Sequence, residues 1–441
     1  MKRAAFLKLM LTISMSIVVL SACGQTTSPD TQTIKGTQTN AEKTTTDTPS
    51  IYELLPKTSL SGITNPNMEN RTNINKALPK TPKDPKKIVI GWSEVTLDNP
   101  WFVNLINSAK KTAANYGYDL RVQVAGGKLD KQSQAIDSFI SQGVDVIVVD
   151  PTDVLGVAAD INRAVDAGIP VIAVGTAPDS SAPVVTTINQ SSYSNGFESG
   201  KYVADQYKND EQINAALIIG VMGNATSESR LNGMIGGIIY ERMQKLGKNI
   251  SKEEAMLKGY YFFEKIKKSG KFEDADSKFA VLGIGTGNWT IEGGLKAAED
   301  LLAANASKLN VILADNDFMG MGAIEALGNI NKKGDIMVAC SSDGTREALD
   351  LIKNEDLIVT GPYNSAQLGE ETIILIHKIF AEGFDANNLP LETPLQSGAI
   401  TKDNVDNYYD SDKSNPFFKY KPIQFKSIPE VLQELKSKTG S

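Results

Sequence analysis

Cysteine and histidine are almost missing from this chain: 441 residues hold two of the first and one of the second. Zinc sites built on those ligands are thereby excluded. The lone histidine, His377, falls in the helical pattern TIILIHKIF, where a packed or surface imidazole is expected rather than a catalytic one. An excess of positive charge is missing too. Lysine and arginine number 45 against 52 aspartates and glutamates, for a formal charge of -7. An acidic chain has no electrostatic footprint for nucleic acid or anionic lipid. Long apolar runs are also lacking. The stretch from Leu9 to Leu20 falls short of the ~20 residues that a bilayer-spanning helix needs. Stability must come from core burial, for which the chain is long enough.

What stands at the N-terminus is a basic start (Lys2, Arg3, Lys8), the short apolar run, then Leu20-Ser21-Ala22-Cys23. That order describes a secretory signal, and its ending resembles the bacterial lipobox. The resemblance implies a signal peptide over 1–22 and lipidation at Cys23, tying the protein to the cell membrane outside the cytoplasm. Removing the signal takes away three positive charges and no negative ones, moving the formal charge from -7 to -10. Cys340 would then be the lone thiol. Lying beside Ile336-Met337-Val338-Ala339, it reads as a small buried hydrophobe.

From 23 to 85 the chain is rich in Thr, Asn, Lys, Ser and Pro and poor in bulky apolar residues. It reads as a flexible tether, although Ile51–Leu55 and the region of Leu60 are apolar enough to leave packing on the body open. Beyond it, short β-branched runs alternate with amphipathic stretches: KIVIGW, DLRVQVA, VDVIVVD and PVIAVG, then AALIIGVMG, NVILADND, DIMVACSSD and DLIVTGP. Continuous apolar strands separated by helices argue for parallel sheets covered on both faces. The length argues for two Rossmann-like α/β lobes joined by a hinge: lobe 1 over 86–189 completed by 364–396, lobe 2 over 190–363, and a C-terminal extension over 397–441. Residues 242–278 read as a charged helical insertion.

Ligands of such sheets sit beyond the carboxyl ends of the strands. There the sequence places Asp98–Phe102, Asp150–Asp153, Gly175-Thr176, Asn224–Arg230, Asn288-Trp289, Asn316-Asp317, Asp343 and Tyr363. Rings and short polar side chains together suit a sugar, whose C–H face packs on an aromatic while each hydroxyl needs a donor or acceptor. Taken singly, each residue also has a plain structural role: Trp101 as packing, Asn316 and Asp343 as helix caps or turns. Trp101 and Trp289 are expected at the cleft and not in the core.

From about Lys86 to about Thr401 the chain resembles the type I periplasmic sugar-binding proteins, the ribose- and galactose-binding group. The resemblance rests on DNPWFVNLINSAKKTAANYGYDL, DVIVVDPTDVLGVAADINRAVDAGIPVIAV, ADNDFMGMGAIEAL and SSDGTREALDLI. It implies ligand contacts at Asn99, Trp101, Phe102, Trp289, Asn316 and Asp343. The family's Asp-Arg after the fourth strand is replaced by Gly175-Thr176. A commonly found Arg appears as Glu228, with Arg230 two positions on, and a late Gln as Tyr363. Thr176, Glu228, Arg230 and Tyr363 therefore join the candidate contacts, and Glu94, Glu228 and Asp343 make the pocket acidic.

The resemblance implies capture of a small molecule, a sugar, by lobe closure and delivery to an ABC permease, with no enzymatic activity, cofactor or metal. Two alternatives stay open: signalling through a membrane histidine kinase, and a non-sugar ligand such as an amino sugar, a nucleoside or a cation. A dehydrogenase is disfavoured because the first strand ends in GWSEVTLDNP, without the glycine turn that pyrophosphate requires. A repressor with this core would need a basic helix-turn-helix where the lipobox and tether stand.

Overall fold

A computed structural model describes residues 49–439 other than 56, 80–83 and 85–87. Cys23 and the signal segment lie outside the described residues. The first sheet is built from β1 (Val89–Glu94), β2 (Asp119–Val124), β3 (Val146–Val149), β4 (Val171–Val174) and β5 (Thr187–Asn189). The helices α1 (Pro100–Tyr116), α2 (Leu129–Gln142) and α3 (Val157–Asp166) connect them. The chain then crosses to a second sheet through α4 (Ser192–Asp205), β6 (Ile213–Ile219), α5 (Ala225–Lys245), α6 (Lys252–Ser269), β7 (Phe272–Asp274), β8 (Phe279–Thr286), α7 (Ile291–Asn305), β9 (Val311–Ala314), α8 (Asp317–Asn329), β10 (Met337–Cys340) and α9 (Arg346–Lys353). After β11 (Val359–Thr360) it returns through α10 (Ser365–Phe380) and β12 (Glu392–Pro394), crosses again at β13 (Ile400–Thr401), and ends on α11 (Ile428–Thr439).

The strand orders are β2-β1-β3-β4-β5-β12 and β7-β8-β6-β9-β10. All pairings are parallel except the β7 edge. Each sheet starts near its middle and reverses direction there, so each has a switch point, between β1 and β3 and between β6 and β9. The buried runs Val146–Val149 and Val311–Ala314 are apolar on both faces because helices cover both. Local signals set the helix ends. Asn99 caps α1, accepting from Trp101 N at 2.8 Å, with Pro100 at the first position, where its missing N–H costs nothing. Ser251 and Glu254 close a capping box on α6.

Between β1 and β13 three passages join the lobes: β5 to α4, β11 to α10, and β12 to β13. The small antiparallel β11–β13 pair places Ile400 and Thr401 on lobe 2. The region 242–278 comprises the end of α5, the added helix α6 and the edge strand β7. Cys340 is fully buried, and burial pushes its thiol well above the usual range. His377 stacks on Tyr116 with 4.0 Å between ring centres and shares a 2.6 Å hydrogen bond with the Tyr118 hydroxyl. No helix of the described residues is long and apolar enough to cross a membrane.

Two segments whose packing the sequence left open lie on the body. Residues 49–79, counted within the tether, pack on the body. Ile51 and Leu60 are buried among Tyr193, Phe197, Met256 and Tyr260 of lobe 2. Ala77 joins the lobe 1 core. The tail after Ile400 wraps back as well, with Phe417 buried in the lobe 1 core and Phe418 in that of lobe 2.

Candidate functional site

The carboxyl ends of the two sheets face one another across a cavity of ≈ 290 Å³. Lobe 1 contributes Asn99, Trp101, Phe102, Asp150 and Thr176; lobe 2 contributes Arg230, Trp289, Asn316 and Asp343, with Tyr363 on the passage between them. The lobes already touch around it. Asn99 Nδ2 donates to Trp289 O at 2.9 Å, and the Thr176 and Thr226 hydroxyls lie 3.3 Å apart. These contacts describe a closed arrangement.

The rings are fixed in different ways. Trp101 opens α1, where its Nε1 donates to Tyr363 O at 3.3 Å. Its ring meets Phe102 edge-on at 5.1 Å and Tyr363 at 4.8 Å. Trp289 is held by its own backbone: Asn288 and Trp289 both take positive φ, 50° and 58°. Such consecutive left-handed residues cost about 1–3 kcal/mol each and persist where surrounding structure demands them. The demand here is orientation. Trp289 Nε1 reaches Ser227 Oγ at 3.0 Å, lying so close to Gly220 that a Cβ there would sit 1.9 Å from the indole nitrogen.

The polar groups form two acidic clusters. In lobe 1, Glu94 and Asp150 are both buried and in hydrogen-bond contact. Desolvation and the neighbouring Asp150 charge push Glu94 well up, and desolvation pushes Asp150 up to about 7. Glu94 also accepts hydrogen bonds from Trp92 Nε1 and Val95 N. In lobe 2, Asp343 receives Asn316 Nδ2 at 3.0 Å and Ser342 Oγ at 3.1 Å. Burial raises it to about 6, opposed by the nearby Arg230 charge. Asp317, behind it, is pushed up by burial and by Asp343, despite bonds from Thr360 and Thr345. Arg230 is the guanidinium of this wall. Its Nε donates to Gln190 at 3.0 Å, a terminal nitrogen lies 3.7 Å from Asp315, and the group sits 5.6 Å from the Tyr363 ring centre.

The periplasmic binding protein domain profile matches residues 90–382, two thirds of the chain. This chain belongs to the periplasmic binding protein family. Among curated relatives it is 27% identical over 284 residues to the ribose import binding protein RbsB of Bacillus subtilis (strain 168), covering 64% of this chain and 79% of that protein. It is 25% identical over 282 residues to the xylitol-binding protein of Mycolicibacterium smegmatis, covering 64% and 68%. Among solved structures, an ABC transporter solute-binding protein of Bacillus halodurans C-125 with bound myo-inositol aligns at a TM-score of 0.59 and 24% identity, over 74% of this chain and 98% of that one. The fold is thus that of the type I periplasmic binding proteins, a mixed α/β pair of lobes with parallel sheets.

Within this periplasmic binding protein the structure brings nine of the ten sequence candidates to the cavity wall: Asn99, Trp101, Phe102, Thr176, Arg230, Trp289, Asn316, Asp343 and Tyr363. Glu228 is not among them. It turns back along α5, accepting from Gly223 N at 3.0 Å and pairing with Lys267 at 3.1 Å. Two positions on a helix differ by about 200° in direction, so Arg230 faces the cavity and Glu228 cannot. Trp101 also differs from expectation, being only 7% exposed and part of the lobe 1 core. Sequence reasoning did not count Asp150 among the contacts, although it stands at a strand end. The signal lay in Gly175, which keeps the space above that carboxylate open.

Proposed function

We propose that this protein is an extracytoplasmic solute-binding protein that captures a small carbohydrate-like ligand by closure of its lobes and presents it to an ABC permease. The observation that carries this reading is the cavity wall itself: aromatic faces and hydrogen-bonding groups from both lobes converge on one cleft. A ring seated there is gripped by Trp101 and Phe102 from one side and Trp289 from the other. Its hydroxyls meet Asp150, Asn316, Asp343 and Arg230. Contacts to both lobes stabilise the closed form relative to the open one, which is all that ligand-driven closure requires. A micromolar ligand needs about 8.2 kcal/mol, within reach of two ring contacts and several satisfied polar groups. The relatives named for ribose and xylitol support a sugar or polyol. Leu20-Ser21-Ala22-Cys23 supports a lipid anchor.

A thermal-shift screen of the purified protein against sugars, polyols, amino sugars and nucleosides tests the reading. A ligand at a hundredfold its dissociation constant stabilises by about 2.7 kcal/mol. A shift with a sugar or polyol supports the proposal. Shifts confined to nucleosides, or none across the panel, overturn it.

A further inference from the structure

Charge in the cleft is unbalanced, and the imbalance has a direction. Asp150 and Asp343 line the cavity from opposite lobes. Facing them is a single cation, Arg230, already shared with Asp315 behind it. Among the described residues no lysine or arginine pairs with Asp150. Its neighbours are the Glu94 carboxyl and the Thr176 backbone N–H. No described residue of lobe 1 offers a cation to this pair of carboxyls, and a buried carboxylate without a partner is costly; closure over a neutral ligand leaves Asp150 without one.

The carboxylate is aimed at the cavity by its neighbour Gly175, with φ of +70°; a Cβ there would sit 2.9 Å from both Asp150 carboxylate oxygens. Any other residue would cover the carboxylate, and glycine leaves it open to the cavity, whose wall includes both residues.

Resting on the solute-binding reading above, we propose that the natural ligand is an aminated sugar or aminated cyclic polyol, with its ammonium seated against Asp150. A compact ammonium offers three donors. Asp150 accepts from it, and the ring faces of Trp101 and Trp289 favour a cation over them. The ligand's hydroxyls are left for Asp343 and Asn316.

Isothermal titration of the wild-type protein with matched pairs decides the matter: glucose with glucosamine, galactose with galactosamine, and myo-inositol with an amino-inositol. The amine of at least one pair binds about tenfold or more tighter than its neutral partner, the gain of one ion pair in a closed site. Asp150→Asn, isosteric and uncharged, abolishes that preference, the amine losing about tenfold or more relative to its neutral partner. Neutral members that bind as well as or better than their amines overturn this proposal and leave the solute-binding reading standing. Silence from both members of every pair overturns this proposal and counts against the carbohydrate reading with it. The wild-type comparison does not depend on whether the variant folds.

Discussion

Trp101 and Trp289 face one cavity from opposite lobes, yet they carry different loads. Trp101 is buried among Leu105, Tyr363 and the strand residues of lobe 1. Trp289 is half-buried at the rim of lobe 2, packed against its core without belonging to it. Trp289→Ala should therefore leave the melting temperature nearly unchanged and weaken binding by about 2–3 kcal/mol, the burial energy of one large side chain. Trp101→Ala should lose binding and also about 3–5 kcal/mol of folding stability, as large-to-small changes in cores do. Titration calorimetry beside urea denaturation separates the two. Equal stability losses in both variants would show that the rim position is as structural as the core one. The same scale explains what the sequence could not reveal. Asn99, Asn316 and Asp343 were legible because strand ends are recognisable from their apolar runs. The Glu94–Asp150 contact was not, because 55 residues separate the partners and only the parallel β1–β3 register brings them together. Glu228 misled because a motif aligned by position does not report which way a helical side chain turns.

At the scale of elements, the two terminal segments are tied across the hinge. The 3-10 turn Ile51–Leu54 and the region of Leu60 bury apolar side chains on lobe 2, where Asn232 Nδ2 also donates to Ser59 O at 2.7 Å. Twenty residues on, Arg71 serves lobe 1. Its guanidinium donates to the carbonyls of Val185 at 2.9 Å, Leu389 at 3.1 Å and Val184. Burial pulls its pKa down to about 10, still charged at neutral pH. The tail runs the same course in reverse: Arg346 donates to Asp410 O, Asn364 to Phe418 O and Gln367 to Lys421 O. Arg71→Ala should cost about 2–3 kcal/mol, because carbonyls that shared a charged donor lose it together, and Arg71→Lys should recover part of that. Differential scanning calorimetry of the three proteins checks it. An unchanged melting temperature in Arg71→Ala would show that the segment lies on the body without holding to it. Composition hid this segment, since Thr, Asn and Lys dominate it and only Ile51, Leu55 and Leu60 hinted at packing. The alternating strands and helices were plain for the opposite reason: sheets covered on both faces require uninterrupted apolar runs such as VDVIVVD.

For the molecule as a whole, the cleft's acidity is part of a wider pattern of buried carboxyls. Burial raises Glu94, Asp315, Asp317 and Glu392, lifts Asp343 to about 6, and lifts Asp150 and Glu371 to about 7. In the unfolded chain such groups ionise near their usual values of about 4. Between about pH 4 and pH 7 the native protein therefore holds protons that the unfolded chain has released, so stability falls as pH rises through that window. The exposed carboxyls held low by local bonds, among them Asp179, Asp276, Asp410, Asp412 and Glu430, act in the other direction, and only below their unfolded values. Urea midpoints measured from about pH 4.5 to about pH 7.5 should decline steadily, and Asp343→Asn should remove the share of the decline that Asp343 contributes up to about pH 6. Midpoints that rise across the window would mean that opposing charges outweigh burial at these sites. A ligand that brings a positive charge to Asp150 would hold that carboxyl ionised in the closed protein, so the decline should be shallower in its presence. A neutral ligand bound at the same occupancy adds a constant to the stability and leaves the slope as it is in the free protein.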